Sequence, residues 1–345
     1  MRIGSFELGV GPVLVVAEAG VNHNGTLTDA LHLVDAAASA GAGAVKFQVF
    51  RAAELAAKSA PAAPYQAAHA QASSQYSMLQ KLELSPDEFK RIKQHCDDAG
   101  IMFLATPFSL VDVDRVMDLG VPAIKIASTD LTNWPLIEKA LSTGLPLIIS
   151  TGAATQQEIE KVAAELRSEC QRGRIAFLHC VSAYPAPVQS INLRAMDELA
   201  RISGAPVGFS DHTTSTQTGA WAAARGACLL EKHLTLDRNA RGPDHFFSLD
   251  PGQMRDYIAN VREVTAALGS GRLGFTEAEA DVRQVARKSI VCAAAVRRGE
   301  VLTAAHLTLK RPGTGIQPHE MPRITGRKAK CDIPADALIS WEMLD

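Results

Sequence analysis

The 345-residue chain lacks any long apolar run. Its richest stretches, "VLVV" and "LPLII", are strand-sized, well short of the roughly 20 residues that a membrane helix requires. No membrane span is expected. Paired cysteines are also missing. Cys96, Cys170, Cys180, Cys228, Cys292 and Cys331 are scattered, with no C-x-x-C or close pair. That argues against a disulfide frame or a zinc cluster and for reduced thiols that mostly fill the core. Charge bias is missing too: 35 basic and 37 acidic residues leave a net charge of -2, so no polyanion-binding surface is marked and nucleic acid is not an expected partner. The opening "MRIGSFELG" lacks the basic-then-apolar order of a secretory signal, which points to the cytoplasm. No G-x-G-x-x-G follows the first strand-like run, which disfavours a doubly wound dinucleotide-binding sheet.

What is present is alternation. With 47% hydrophobic and 21% charged residues the chain can bury a large core. Eight apolar runs recur: "VLVVAEAG" from Val13, "AVKFQVF" from Ala44, "IMFLATPF" from Ile101, "AIKIAS" from Ala123, "PLIIST" from Pro146, "RIAFLHC" from Arg174, "PVGFSDH" from Pro206 and "LLEKHLTL" from Leu229. Near-continuous apolar strands between amphipathic segments indicate a parallel sheet covered on both faces. Helix starts are written explicitly. Ser85-Pro86-Asp87-Glu88 and Thr155 with Glu158 read as capping boxes. Asp250-Pro251 opens a helix whose Met254, Tyr257, Ile258, Val261, Val264 and Leu268 share one face. Eight such units match a TIM (β/α)8 barrel over residues 1–270. A polar connector over 271–287 and a small domain over 288–345, with short strands and Gly/Pro turns, follow. The alanine-rich stretch from Ala52 to Gln80 reads as a long loop on the catalytic face.

Ionisable and polar residues gather at the strand ends: Glu18, Lys46 with Gln48, Thr106, Lys125 with Ser128, Ser150, Tyr184, Ser210 with His212, and Glu231 with His233. In a barrel this is the catalytic rim. Singly each has a bland explanation, since a strand histidine is more often hydrogen-bonded core than a ligand and serines end strands routinely. Together they are harder to dismiss, because burying so many charges in one place is costly unless they pair or bind something. Two lysines, several serines and the turn at Gly152 suit a phosphate-bearing anion. Two histidines on adjacent strands suit a divalent metal with open positions. Glu18 is a candidate base. His179 and Cys180 face opposite ways, and both are expected to be structural.

The motifs "VVAEAGVNHNG", "AVKFQVF", "ATPF", "LHCVSAYPAP", "VGFSDHT", "EKHLTLDRNARGPDH" and "RPGTGI" occur in the order seen in the sialic acid synthase family. The chain resembles that family over practically its whole length, with a tail similar to its antifreeze-like (SAF) domain. The resemblance implies condensation of phosphoenolpyruvate with the open-chain aldehyde of N-acetylmannosamine, giving N-acetylneuraminate and phosphate. A legionaminate- or pseudaminate-type reaction on a diacetamido-trideoxyhexose is the alternative. It implies His212 and His233 as metal ligands, with Mn(2+) first and Mg or Co as alternatives, and Glu18 as the catalytic glutamate. Lys46, Lys125, Ser128, Ser150, Ser182, Tyr184 and Ser210 are implied to hold phosphoenolpyruvate. Gln48, Thr106, Phe108, Asp130 and Asp244 are implied to lie on the sugar side. Arg311 in "KRPG" is implied to enter the barrel of a partner in a domain-swapped homodimer. Two departures bear on the sugar: Ser128-Thr129-Asp130 stands where relatives often read Ser-Gly-Glu, and Ser182 stands where many carry asparagine. Phospho-sugar keto-acid synthases and a non-catalytic carbohydrate-binding protein are the rivals. The first lack the tail, and the second would have no need of Glu18, His212 and His233 together.

Overall fold

The computed structural model describes residues 1–63, 66 and 74–345. A two-stranded hairpin, β1 (Arg2–Ile3) with β2 (Phe6–Glu7), precedes the barrel. Eight strands then close on themselves: β3 (Leu14–Gly20), β4 (Ala44–Val49), β5 (Met102–Pro107), β6 (Ile124–Ile126), β7 (Leu147–Ser150), β8 (Ile175–Cys180), β9 (Val207–Asp211) and β10 (Leu229–His233). All neighbours are parallel, and β10 pairs β3 to complete the ring. All eight expected runs form barrel strands. The TIM barrel read from the sequence is the observed fold, and the helices between strands start where their caps are written. Ser85, Thr155 and Asp250 each accept a hydrogen bond from the backbone N–H three residues on, and each closes a capping box.

Every residue of β3 is buried, because one face meets helices and the other the barrel interior. The two faces pack separately. Val15, Ala17, Val45, Phe47, Phe103 and Phe177 belong to the large core between strands and helices. Leu14, Val16, Ala44, Leu104, Ala123, Ile148, Ala176, Leu178 and Leu229 fill the barrel interior. Alternation along each strand carries that inner row into the site. Leu14 and Val16 lead to Glu18, Ala44 to Lys46 and Gln48, Leu104 to Thr106, and Ala123 to Lys125. Ile148 leads to Ser150, Leu178 to Cys180, and Leu229 to Glu231 and His233. An apolar plug thus floors a polar cavity.

Contacts among described residues divide the chain into two compact units, Met1–Gly269 and Ser270–Asp345. The second has its own core of Ile290, Cys292, Val296, Leu302, Ile324, Ile333, Ile339 and Leu344. It includes the antiparallel pair β11 (Ser289–Cys292) with β12 (Leu307–Lys310). Three expectations need correction. The stretch expected as a polar connector contains a helix, Ala280–Ala286. The stretch from Ala52 to Gln80, expected as loop, forms helices Ala52–Leu55 and Gln75–Lys81, whose Ala52, Met78 and Leu79 pack with Val21, Phe50 and Leu82. Residues 64, 65 and 67–73 of that stretch lie outside the described residues. Leu268, expected on the buried face of its helix, is exposed, since it occupies the last position before Gly269.

Candidate active site

Strand register brings Glu18, Lys46 and His233 side by side, with Glu231 one pleat below His233 on the same inward row. Glu18 on β3 stands opposite His233 of β10 on one side and Lys46 of β4 on the other. Glu231 pairs with Ser210 of β9, and Cys180 of β8 pairs with Ser210 from the opposite edge. A cavity of about 550 Å³ opens over this ring. Its walls include Glu18, Lys46, Gln48, Thr106, Phe108, Lys125, Ser128, Asp130, Ser150, Ser182, Tyr184, Ser210, His212 and His233. Asp244 is at the edge of this group, its Oδ2 3.7 Å from His233 Nδ1. Arg311 lies in the second unit, exposed, just after β12.

Lys46 is the hub. Its ammonium is ion-paired with Glu18, lies 3.6 Å from Glu231 Oε2, and donates to Thr106 Oγ1 at 3.0 Å. Burial alone would depress its pKa, but the two carboxylates hold it above the usual lysine range. Glu18 goes the other way, since burial and the nearby Glu231 charge raise its carboxyl despite Lys46. Glu231 is also pushed up by burial, but Lys125, Lys46 and the Ser210 hydroxyl, which donates to it at 2.9 Å, bring it below its ordinary value. The two carboxylates are therefore differentiated, which separates a proton acceptor from a fixed counter-charge. Lys125 is lowered by burial, and Asp244 is pushed up to about 7 by burial and the Glu18 charge.

The anion side is built from small groups. Ser128 Oγ accepts from the Gly152 N–H at 2.9 Å. A Cβ at position 152 would collide with Ser182 Oγ, Cys180 Sγ and Ser128 Oγ, so only glycine leaves this concavity open. Ser150 Oγ is buried and has no hydrogen-bond partner among the described residues. An unpartnered buried hydroxyl costs stability unless a ligand satisfies it, and an anion oxygen is a fitting acceptor.

The histidines suit a metal. Val181 O can only accept, so at 2.9 Å it fixes the hydrogen on His212 Nδ1 and leaves the Nε2 lone pair available. His233 Nδ1 is buried without a hydrogen-bond partner among the described residues, and the two ring centroids are 5.4 Å apart. Burial lowers His212, but the neighbouring Cys180 and Val181 raise it to about 9, so a metal at Nε2 would take the place of a proton, whereas burial and surrounding cations hold His233 well below 6.5. Among the described residues no three His, Cys, Asp or Glu side chains are grouped as a metal cage. Two imidazoles with the remaining positions left to substrate and water is the arrangement these residues allow.

Glu231, placed with His233 at the catalytic rim by alternation but given no role there, lies within the charge cluster. One site residue goes unrecognised in the sequence. Cys180, expected to be structural, lines the cavity with Sγ 3.8 Å from His212 Nδ1. The inward row from Leu178 identifies it. His179 points outward and meets Ile191 O at 2.7 Å.

A closed parallel barrel with buried carboxylates, lysines and histidines gathered at its C-terminal rim is the architecture of a barrel enzyme. The chain belongs to the NeuB family, whose pattern matches residues 33–273, and a SAF domain matches residues 287–345. It is thus a synthase of the sialic acid type, an enzyme that makes sugar acids by forming carbon–carbon bonds. It is 38% identical over 335 residues to the N,N'-diacetyllegionaminic acid synthase of Legionella pneumophila, covering 96% of this chain and 94% of that one. It is 30% identical over 344 residues to the human N-acetylneuraminate-9-phosphate synthase, covering 99% and 95%. The solved N-acetylneuraminic acid synthetase of Leptospira borgpetersenii superposes with a TM-score of 0.73 at 31% identity, covering 82% of this chain and 94% of that one.

Proposed function

We propose that the enzyme condenses phosphoenolpyruvate with the open-chain aldehyde of an acylamino sugar, giving a nine-carbon α-keto acid and phosphate. The observation that carries this reading is the buried cluster in which Lys46 meets both Glu18 and Glu231 with His233 in register beside Glu18, in the same cavity as Ser150 and the concavity at Gly152 between Ser128 and Ser182. The acceptor we favour is a diacetamido-trideoxyhexose, on the 38% identity to a legionaminic acid synthase. N-acetylmannosamine is the second reading, supported by the 31% identity to a solved sialic acid synthetase.

Phosphoenolpyruvate would place its phosphate and carboxylate against Lys46, Lys125, Ser150 and Ser210, where preformed donors replace water. Its carbon 3 forms the new bond to the aldehyde carbon as the carbonyl π bond breaks, and the aldehyde oxygen takes a proton from solvent to become a hydroxyl. His212 and His233 would hold a divalent metal, Mn(2+) first, which when bound supplies Lewis-acid polarisation of the aldehyde oxygen. Water then adds to carbon 2, and the raised carboxyl of Glu18 accepts its proton. Phosphate departs with the carbon 2–oxygen bond. Gln48, Phe108, Asp130 and Asp244 would line the sugar end, with Asp130 taking a 2.8 Å bond from Asn133. Arg311 of the partner subunit in a domain-swapped homodimer would orient the sugar.

The test is an acceptor panel with phosphoenolpyruvate and Mn(2+), reading phosphate release. Turnover is expected with the diacetamido sugar above N-acetylmannosamine, and none in His233→Ala or with chelator. Preference for a phosphorylated pentose or tetrose, or full activity in both controls, would remove the reading.

A further inference from the structure

Directly behind the two histidines lies a charged pair that the proposed chemistry does not use. Asp211 precedes His212 and Lys232 precedes His233, so alternation turns both away from the cavity toward the helix layer. There they meet: the strands pair Lys232 with Asp211 in register, and Lys232 Nζ lies 3.0 Å from Asp211 Oδ2 with both side chains essentially inaccessible to solvent. Lys232 also donates to Thr213 O at 2.6 Å and to Thr213 Oγ1 at 3.2 Å, and lies 5.4 Å from the Tyr257 ring centroid. Asp211 accepts from the Thr213 N–H at 2.9 Å and from the Thr218 hydroxyl. The residues on either side of His212 are therefore tied to the residue before His233. On its far side, Leu234 donates to Glu18 O at 2.8 Å and accepts from Asn22 Nδ2 at 2.8 Å.

A buried ion pair is a poor source of stability, because apolar residues of similar volume commonly do as well. It does impose one relative position on the groups it joins. We infer that the Asp211–Lys232 pair, with Thr213 and Thr218, is a positioning device that sets the spacing and orientation of His212 and His233, and so the affinity of the pair for a divalent cation. This rests on the two-histidine reading above. Asp211 and Lys232 act through the backbone they hold and touch neither substrate nor cation.

The test measures Mn(2+) binding to the full-length protein by electron paramagnetic resonance titration, alongside thermal unfolding. Four forms are compared: the unaltered protein, His212→Ala, the double variant Asp211→Asn/Lys232→Met, and Thr218→Val. The double variant removes the cross-strand tie without leaving a charge unpaired, and its asparagine side chain keeps an acceptor for the Thr213 N–H. It is expected to fold and to weaken Mn(2+) binding by roughly tenfold or more, as outer-sphere changes do, while Thr218→Val weakens it less. A folded double variant with unaltered affinity would overturn the positioning role and leave the two-histidine site standing. Should the double variant fail to fold, Thr218→Val decides alone, and unchanged affinity there overturns the role. An unaltered protein that binds no Mn(2+), or a His212→Ala form that binds as tightly, overturns the two-histidine reading and this inference with it.

Discussion

Glu18 and Lys46 are in contact, yet their substitutions should have opposite effects on phosphoenolpyruvate. In the free site the Lys46 ammonium is shared by Glu18 and Glu231. Glu18→Gln removes a competitor for that charge, so phosphoenolpyruvate affinity should hold or tighten while kcat falls by roughly 10² or more through loss of the proton acceptor. Lys46→Met should instead raise KM for phosphoenolpyruvate. Steady-state kinetics on both variants checks this, and a Glu18→Gln enzyme that loses affinity with kcat intact would assign Glu18 to binding alone. A second residue sets an acid limit. His23 is fully buried, its Nδ1 accepts from the Gly25 N–H at 3.0 Å, and burial holds its pKa down to about 4 from an ordinary 6.5. The unfolded chain takes up that proton first, so its contribution is present above 6.5 and is lost as pH falls toward 4. His23→Asn, with Oδ1 in place of Nδ1, should flatten the fall in Tm across that window. A fall as steep as that of the unaltered chain would contradict the assignment.

Among the elements, the helix starts are the most local features and the easiest to test. Ser85 and Glu88 satisfy each other's backbone N–H groups at the head of helix Pro86–Asp98. Ser85→Ala should therefore cost about 1 kcal/mol of stability in denaturant unfolding with kcat unchanged. These caps were legible because capping is a contact over three residues. The eight barrel strands were legible because burial on both faces leaves continuous apolar runs. The hairpin at Arg2–Glu7 was not, since two-residue strands carry no period. Nor were the helices at Ala52–Leu55 and Gln75–Lys81, whose alanine-rich surroundings blur any apolar face. In the site, Glu18, Lys46, Lys125 and His233 were legible because each stands at the end of an apolar barrel strand. Cys180 was missed because both it and His179 fitted a structural role until the row through Leu178 fixed which one turns inward.

For the whole molecule, Arg311 and His233 sit in different compact units. The proposed domain-swapped homodimer predicts complementation between chains. Arg311→Ala and His233→Ala should each be inactive alone. Mixed and reassembled, they should regain up to about a quarter of the original activity, because each mixed dimer has one intact site. No recovery would place Arg311 in the barrel of its own chain or outside the chemistry. No helix among the described residues is long and apolar enough to cross a membrane.

The reaction itself is tested most directly by running phosphoenolpyruvate and the diacetamido sugar in ¹⁸O-labelled water and weighing both products. The expected products are an α-keto acid extended by the three carbons of phosphoenolpyruvate, with label at carbon 2, and unlabelled phosphate. Label in the phosphate, or phosphate release that proceeds without the sugar, would contradict this reaction.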